Sequence, residues 1–226
     1  MSKDTLKVVE IFTSIEGEGI RAGYPCVFVR FAGFNLRCKY CDTCYAQNDS
    51  EGVEMSVNDI VDAVHSTGIN KVTLTGGEPM LQKNLMHLVR ALIDKNLYVN
   101  IETNGSILIP ENDRDLWYVR KPDHLIFTID YKSPSSGMNS YMCLESFYRL
   151  ASHDVLKFVV GSKEDMLEAW RVLQVVKPEC NIFFSPFFGD IEPAEIVDFL
   201  KDHYLNNARV QLQIHKIIWN PDKRGV

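Results

Sequence analysis

The chain has 226 residues, of which 46% are hydrophobic and 24% charged, a balance typical of globular proteins and unlike disordered, collagen-like or coiled-coil chains. Lys and Arg number 24 against 30 Asp and Glu, so the formal net charge is −6, which disfavours a general nucleic-acid binder or a binder of anionic membranes. No apolar run approaches the roughly 18 residues of a membrane span, and the first residues contain no apolar signal core. We therefore expect a cytoplasmic protein with no membrane and no nucleic-acid partner.

Strand-like and helix-like segments alternate along the chain. Runs of β-branched and aromatic residues predict strands at 25–31, 71–75, 97–101, 124–130, 155–160, 181–185 and 209–214. Helical periodicity predicts helices at 56–66, 81–96, 140–151, 163–176 and 193–202. Ser56 is a suitable N-cap for the first of these, with Asp59 at the third helical position. The polar span 105–123 contains prolines and predicts a loop.

This alternation indicates parallel βαβ units within one α/β domain that covers residues 1–226. About six units are present, which is fewer than the eight of a complete barrel. An incomplete (β/α) barrel and a doubly wound sheet both agree with the pattern. In either architecture the functional residues collect at the carboxyl ends of the strands.

The cysteines are unevenly distributed. Cys38, Cys41 and Cys44 form a C-x2-C-x2-C run directly after a predicted strand. In a reducing compartment, clustered thiols indicate a metal site or catalysis rather than disulfides. Closely spaced thiolates are typical of iron–sulfur clusters. A zinc site needs four ligands and usually a second cysteine pair, which this sequence lacks; zinc and unliganded thiols remain the alternatives.

Two further motifs follow predicted strands. TGGEP occupies residues 75–79, and its paired glycines allow a backbone to approach a ligand closely. ETNG occupies residues 102–105 and forms a polar turn after the next strand. Each motif is weak alone, but their order after the cysteine run resembles the radical S-adenosylmethionine (SAM) superfamily. That resemblance implies a partial (β/α)6 barrel.

Other segments resemble one family within this superfamily, the 7-carboxy-7-deazaguanine synthases. The resemblance covers essentially the whole chain and is carried by residues 10–19 (EIFTSIEGEG), 28–30 (FVR), 41–43 (CDT), 130–134 (DYKSP) and 213–216 (QIHK). It implies a lyase that converts 6-carboxy-5,6,7,8-tetrahydropterin to 7-carboxy-7-deazaguanine, in the biosynthesis of 7-deazapurines such as queuosine. The 5′-deoxyadenosyl radical from SAM would take a hydrogen from carbon 6 of the pterin, and the ring would contract with loss of ammonia.

The resemblance also implies the cofactors and partners. These are a [4Fe–4S] cluster, SAM and Mg²⁺, an electron donor such as flavodoxin or ferredoxin, a small-molecule pterin substrate, and an assembly for which a homodimer is one option. Thr43 would contact Mg²⁺, for which a hydroxyl oxygen is a reasonable ligand.

Individual residues take roles from the family motif. Those assigned to substrate are Ile15, Glu16, Gly17, Arg30, Thr75 and His215. Those assigned to SAM are Tyr40, Asp42, Gly77, Glu78, Glu102, Asp130, Lys132 and Ser133. The guanidinium of Arg30 suits a carboxylate, which it can bind through two hydrogen bonds.

One departure concerns the cluster. The superfamily pattern is C-x3-C-x2-C, and its first cysteine would follow Gly33, where this chain has Phe34. A phenyl ring cannot bind iron. Our hypothesis is that Cys44 supplies the missing thiolate together with Cys38 and Cys41. Cys26 is the rival ligand, but it lies near the start of its predicted strand, far from the loop at the opposite end.

Three other functions compete with this interpretation. They are a radical SAM enzyme with another substrate, a non-catalytic pterin- or nucleotide-binding relative that lost its cluster through Phe34, and a zinc-stabilised binding module. Iron and sulfide content separates the last two from the enzymes, and substrate turnover separates the two enzymes.

Overall fold

The computed structural model describes residues 4–39, 52–110, 124–220, 223 and 225. Its strands are β1 (Thr5–Ile15), β2 (Pro25–Phe31), β3 (Val53–Ser56), β4 (Lys71–Gly76), β5 (Tyr98–Thr103), β6 (Leu125–Lys132), β7 (Val155–Val160), β8 (Asn181–Pro186) and β9 (Ala208–Val210). Its helices are α1 (Val57–His65), α2 (Leu85–Asp94), α3 (Leu144–Tyr148), α4 (Lys163–Val176), α5 (Pro193–Asp202) and α6 (Ile214–Ile218). Among the described helices none is long and apolar enough to span a membrane.

All described strands belong to one open sheet, in the order β3-β1-β2-β4-β5-β6-β7-β8-β9. From β2 to β9 every neighbouring pair is parallel, whereas β1 pairs antiparallel with both β2 and β3. Parallel strands need crossover connections, and the described helices α1 to α5 lie in five of the six connections. The predicted α/β architecture with a mainly parallel sheet is therefore confirmed.

The helices form where the sequence provides caps and an apolar face. Ser56 accepts a hydrogen bond from the Asp59 backbone, and Asp59 reaches back to the Ser56 backbone, so α1 begins with the predicted capping box. Helix α2 buries Leu85, Leu88 and Leu92 on one side, the spacing expected of an amphipathic helix. This face packs against β5.

The parallel strands are apolar along their length because the sheet is covered. In β4, Val72 and Leu74 are fully buried, and in β7 Val155, Leu156 and Phe158 are fully buried. Lys157 interrupts this apolar run, although only 8% of its surface is exposed. A charge in such a position needs a partner, and its partners lie in the cavity described below.

The turn between β1 and β2 meets the C-terminal segment across the open side of the sheet. The Gly19 N–H donates to Gln211 Oε1 at 2.7 Å, and Gln211 Nε2 donates to the Gly19 carbonyl at 3.0 Å. The Ile214 N–H donates to the Gly17 carbonyl at 3.1 Å. These three hydrogen bonds hold residues 16–19, which follow β1 beside the amino end of β2, against the segment after β9.

Several predicted boundaries were wrong. The helix predicted at 81–96 is shorter (α2), because Pro79 begins a separate turn of 3₁₀ helix, Pro79–Leu81. The helix predicted at 140–151 contracts to α3. The strand predicted at 209–214 ends at Val210, and Ile214 begins α6. Strands β1 and β3 were not predicted.

Candidate active site

A cavity of about 290 Å³ opens at the carboxyl ends of the parallel strands. Its walls combine apolar, cationic and anionic side chains, which suits a polar ligand with an aromatic or ring part. Among the lining residues are Phe12, Ile15, Glu16, Gly17, Glu18, Arg30, Phe34, Cys38, Thr75, Gly77, Glu102, Asp130, Lys132, Lys157 and His215.

Glu16 forms the floor below the β1–β2 turn and is 2% exposed. Thr73 Oγ1 donates a short hydrogen bond to Glu16 Oε1, and Cys26 Sγ donates to the same oxygen at 3.4 Å. Both side-chain donors reach Oε1, which leaves Oε2 for a ligand. Burial, followed by the nearby Glu102 carboxylate, raises the pKa of Glu16 to about 7. Glu16 can therefore accept or donate a hydrogen bond near neutral pH.

Gly17 lies directly beneath the imidazole of His215. A Cβ atom at position 17 would lie 1.8 Å from His215 Nδ1. Only glycine permits this contact, and the contact brings His215 from the C-terminal segment into the cavity wall.

The two glycines of the TGGEP motif allow β4 to approach the cysteine-bearing loop. The Gly77 N–H donates to the Phe31 carbonyl at 2.9 Å. A Cβ on Gly77 would lie 1.7 Å from the Gly33 carbonyl oxygen and 3.0 Å from Phe34 Cδ2. The motif therefore sets the position of the loop that leads to Cys38.

Glu78 is fully buried and connects two loops. Its Oε1 accepts hydrogen bonds from the Met80 N–H at 2.9 Å and from Thr103 Oγ1 at 2.7 Å. Its Oε2 accepts one from the Asn104 N–H at 2.8 Å. The carboxylate holds the loops after β4 and β5 together and does not line the cavity.

A buried ion network crosses the cavity. Lys157 Nζ donates to Glu18 Oε2 at 2.9 Å and lies 3.1 Å from Asp130 Oδ1, while Lys132 Nζ donates to Asp130 Oδ2 at 2.9 Å. Asp130 and Lys157 are register partners on β6 and β7, so both side chains leave the same face of the sheet.

This network separates the cavity carboxylates into two groups. Burial acts to raise the pKa of Glu18 and Asp130, but the adjacent ammonium groups of Lys157 and Lys132 outweigh it, and both pKa values fall below their ordinary range. The pKa of Glu102 is instead raised, chiefly by burial, although Thr75 Oγ1 donates to its Oε2 at 2.9 Å. Glu18 and Asp130 are thus ionised at neutral pH, whereas Glu16 and Glu102 retain protons more readily.

Arg30 lies near the carboxyl end of β2. Its Nε donates to Glu10 Oε1 at 2.7 Å, and its guanidinium carbon lies 5.7 Å from the centre of the Phe12 ring. Glu10 and Phe12 restrict the arginine side chain and hold the guanidinium at the cavity wall.

Most of the described residues assigned from the family motif lie on this cavity. They are Ile15, Glu16, Gly17, Arg30, Cys38, Thr75, Gly77, Glu102, Asp130, Lys132 and His215. Glu78 and Ser133 are fully buried behind it. Tyr40, Cys41, Asp42, Thr43 and Cys44 lie outside the described residues.

Sequence reasoning did not select Glu18 or Lys157. The available signal was the lysine itself, a charge at the third position of the otherwise apolar strand β7. Such a residue is rarely buried without a partner.

The described residues are chemically suited to the cofactors of a radical SAM enzyme. The Cys38 thiol lines the cavity, as a cluster ligand must, and its partners in the motif lie outside the described residues. The Asp130 carboxylate and the Lys132 ammonium lie on the same wall and suit the charged methionyl and hydroxylated ribose parts of SAM. Cys26 is fully buried, lies outside the cavity lining, and has a pKa raised by burial and by Glu16, all of which disfavour a thiolate ligand.

Comparisons with known proteins agree with this site. Residues 31–202 match the model of the radical SAM superfamily. A 7-carboxy-7-deazaguanine synthase of Clostridium acetobutylicum is 46% identical over 224 residues, which are 97% of this chain and 99% of the relative. The chain belongs to the 7-carboxy-7-deazaguanine synthase family. A second family member, from Chlorobaculum tepidum, is 39% identical and covers 98% of this chain and 97% of its own length.

Solved structures share the fold. QueE from Escherichia coli superimposes with a TM-score of 0.72 at 21% identity, over 92% of this chain and 94% of that chain. Streptococcus suis SuiB bound to S-adenosylmethionine gives a TM-score of 0.55 at 14% identity, over 79% of this chain and 48% of that chain. The partial (β/α)6 barrel is thereby confirmed. Membership of the superfamily implies a [4Fe–4S] cluster, SAM, a reductant and a small-molecule substrate, and the non-catalytic alternative is not favoured.

Proposed function

We propose that this chain, as a single radical SAM domain of residues 1–226, converts 6-carboxy-5,6,7,8-tetrahydropterin to 7-carboxy-7-deazaguanine in 7-deazapurine biosynthesis. One observation carries the proposal: residues that the family motif assigns to substrate, SAM and cluster line one cavity at the carboxyl ends of the strands. Similarity to the Clostridium acetobutylicum synthase along nearly the whole of both chains supports the same activity.

The cavity residues suit a carboxylated pterin. Arg30, held by Glu10, can bind the substrate carboxylate through two hydrogen bonds. The free oxygen of Glu16 can accept a hydrogen bond from the amino and ring N–H groups of the pterin, as carboxylates do from bases. Thr75 and His215 complete the polar wall.

The residues that we propose for SAM come from β6 and from the turn after β4. Asp130 and Lys132 lie on β6, and Gly77 exposes its backbone where a side chain would clash with Gly33. When bound, the cluster and SAM supply the 5′-deoxyadenosyl radical that the superfamily uses. We assign Tyr40, Asp42, Glu78, Glu102 and Ser133 to the same ligand, with Glu78 acting through the Asn104 backbone that it holds.

For the cluster we propose Cys38, Cys41 and Cys44 as ligands. The burial of Cys26 in contact with Glu16 and Thr73 supports Cys44 over Cys26 as the replacement for the missing thiolate at position 34. The finer parts rest on the family resemblance: Mg²⁺ at Thr43, flavodoxin or ferredoxin as reductant, a homodimer, and a cytoplasmic location that keeps the thiols reduced.

The test is anaerobic reconstitution with iron and sulfide, followed by electron paramagnetic resonance of the reduced protein with and without SAM. We expect a [4Fe–4S] signal that changes when SAM is added. The signal should be lost in Cys44→Ala and retained in Cys26→Ala, which serves as the matched control.

Turnover is then measured with 6-carboxy-5,6,7,8-tetrahydropterin, with and without Mg²⁺, by detecting 7-carboxy-7-deazaguanine. Product formation supports the proposal. If the protein holds the cluster and cleaves SAM but leaves the pterin unchanged, then 6-carboxy-5,6,7,8-tetrahydropterin is not its substrate. Absence of the cluster in the parent protein would refute the enzyme assignment.

A further inference from the structure

The Lys157 network joins parts of the chain that are far apart in sequence. Lys157 and Glu18 are separated by 139 positions, yet their charged atoms lie 2.9 Å apart. Glu18 belongs to the turn that carries Glu16 and Gly17, whereas Lys157 and Asp130 belong to neighbouring strands on the far side of the cavity. The lysine therefore spans the cavity between the wall assigned to substrate and the wall assigned to SAM.

We propose that Lys157 is a positioning residue that fixes the Glu16–Gly17 wall against Asp130, so that the two ligand walls keep one spacing. The proposal rests on the proposed function for the identity of the ligands. It goes beyond that function because the family resemblance assigned no role to Lys157 or Glu18.

The charged groups facing Lys157 make this role specific. Glu18 approaches from the β1–β2 turn, Asp130 from β6 and Glu102 from β5, and Lys132 is the neighbouring cation on β6. A neutral side chain at position 157 would remove the ammonium that pairs with Glu18, whereas Asp130 would keep its pair with Lys132. A buried carboxylate that loses its counter-ion takes up a proton more readily.

A second set of contacts holds the same turn, which allows the two effects to be separated. Gln211 and Ile214 bind the backbone of Gly19 and Gly17. Loss of Lys157 should thus loosen the turn without unfolding it. We expect faster amide exchange of the turn in the free protein and a lower affinity for the ligand.

The first experiment measures hydrogen exchange of the Glu16 and Gly19 amides in the free protein, because these amides donate to the Tyr24 carbonyl and to Gln211 Oε1. Exchange in Lys157→Met should be about tenfold faster than in the parent. Lys157→Arg, which retains the charge, should stay within about threefold of the parent rate. The control is Lys201→Met, since Lys201 forms an exposed pair with Asp198 and its loss should leave exchange in the turn unchanged. If Lys157→Met does not fold, Glu18→Ala removes the contact with Lys157 from the other side.

The second experiment measures binding of 7-carboxy-7-deazaguanine by calorimetry between pH 6 and 8, in two buffers that differ in ionisation enthalpy. Lys157→Met should bind about tenfold more weakly and change the number of protons taken up on binding, whereas Lys157→Arg should restore both. Unchanged exchange together with unchanged proton uptake in Lys157→Met would refute the positioning role. If the parent does not bind this compound, the proposed function fails, and the exchange experiment still tests the role of Lys157.

Discussion

The imidazole of His215 lies so close to Gly17 that a Cβ atom on the glycine would lie 1.8 Å from Nδ1. Gly17→Ala should therefore push His215 out of the cavity wall and weaken binding of 7-carboxy-7-deazaguanine by about tenfold or more. Calorimetry measures the affinity and thermal unfolding the stability. The clash should also lower the stability of Gly17→Ala. In Gly17→Ala/His215→Ala the stability should recover, whereas the affinity should stay low. A further loss of stability in the double variant would show that the clash is not the cause.

The raised pKa of Glu16 predicts that stability depends on pH. Folding raises this pKa from 4.5 to about 7, chiefly through burial and then through Glu102. The folded state therefore binds more protons than the unfolded state between these values, and the free energy of unfolding should fall as pH rises from about 5 to 7, by at most roughly 3 kcal/mol. Urea unfolding across this range measures the slope. Glu16→Gln should flatten it, and an equal slope in both proteins would contradict the assignment.

Arg30 should contribute to binding through the geometry of its guanidinium as well as its charge. Arg30→Lys keeps the charge but loses the paired hydrogen bonds, so affinity for 7-carboxy-7-deazaguanine should fall about 10- to 100-fold. The control is Arg171→Lys, which changes an exposed residue paired with Glu168. A similar small loss in both variants would show that Arg30 does not bind the carboxylate.

Position 34 offers a gain-of-function test of the cluster. Phe34 lines the cavity beside Gly77, so a thiol there would face the same space as Cys38. Phe34→Cys/Cys44→Ala should hold iron and sulfide at about the parent level, whereas Cys44→Ala alone should not. Iron and sulfide analysis with electron paramagnetic resonance measures this, and an empty double variant would argue that position 34 cannot supply a ligand.

A substitution of Glu78 should lower the stability of the protein more than its affinity for ligands. Glu78→Gln replaces one of the oxygens that accept hydrogen bonds from Met80, Thr103 and Asn104 by an amide that donates. We expect the free energy of unfolding to fall by about 1–3 kcal/mol. Glu145→Gln is the surface control, since the Glu145 side chain is 64% exposed and pairs with Arg149. Equal unfolding midpoints in the two variants would refute the structural role.

The bounds of helices and strands were predicted best where local sequence signals alone determine the element. Strand β2 and helices α4 and α5 were predicted to the residue, because apolar periodicity, an N-cap such as Ser162, and a proline at the first helical position all agree there. Strand β1 was missed because its partly buried alternation coincides with a motif that was interpreted for function. The segment after Val210 turns into a helix where it meets Gly17, a tertiary contact that no local pattern contains.

The residues of the site also fall into those that the sequence could predict and those that it could not. The residues of the family motif were predictable as candidates, and the structure brings those that it describes to the cavity or directly behind it. The pairing of Lys157 with Glu18 was not predictable, because it depends on how an open sheet curves over 139 positions of sequence.

The hydrogen bonds between Gly19 and Gln211 join residues 192 positions apart. During synthesis on a ribosome, the early strands can pair while Gln211 and His215 are still inside the exit tunnel. The cavity wall at Gly17 can therefore form only after translation has passed these residues. Until then the chain has a sheet but no complete ligand site, so a nascent chain stalled before Gln211 should already be folded in its centre and unable to retain the pterin.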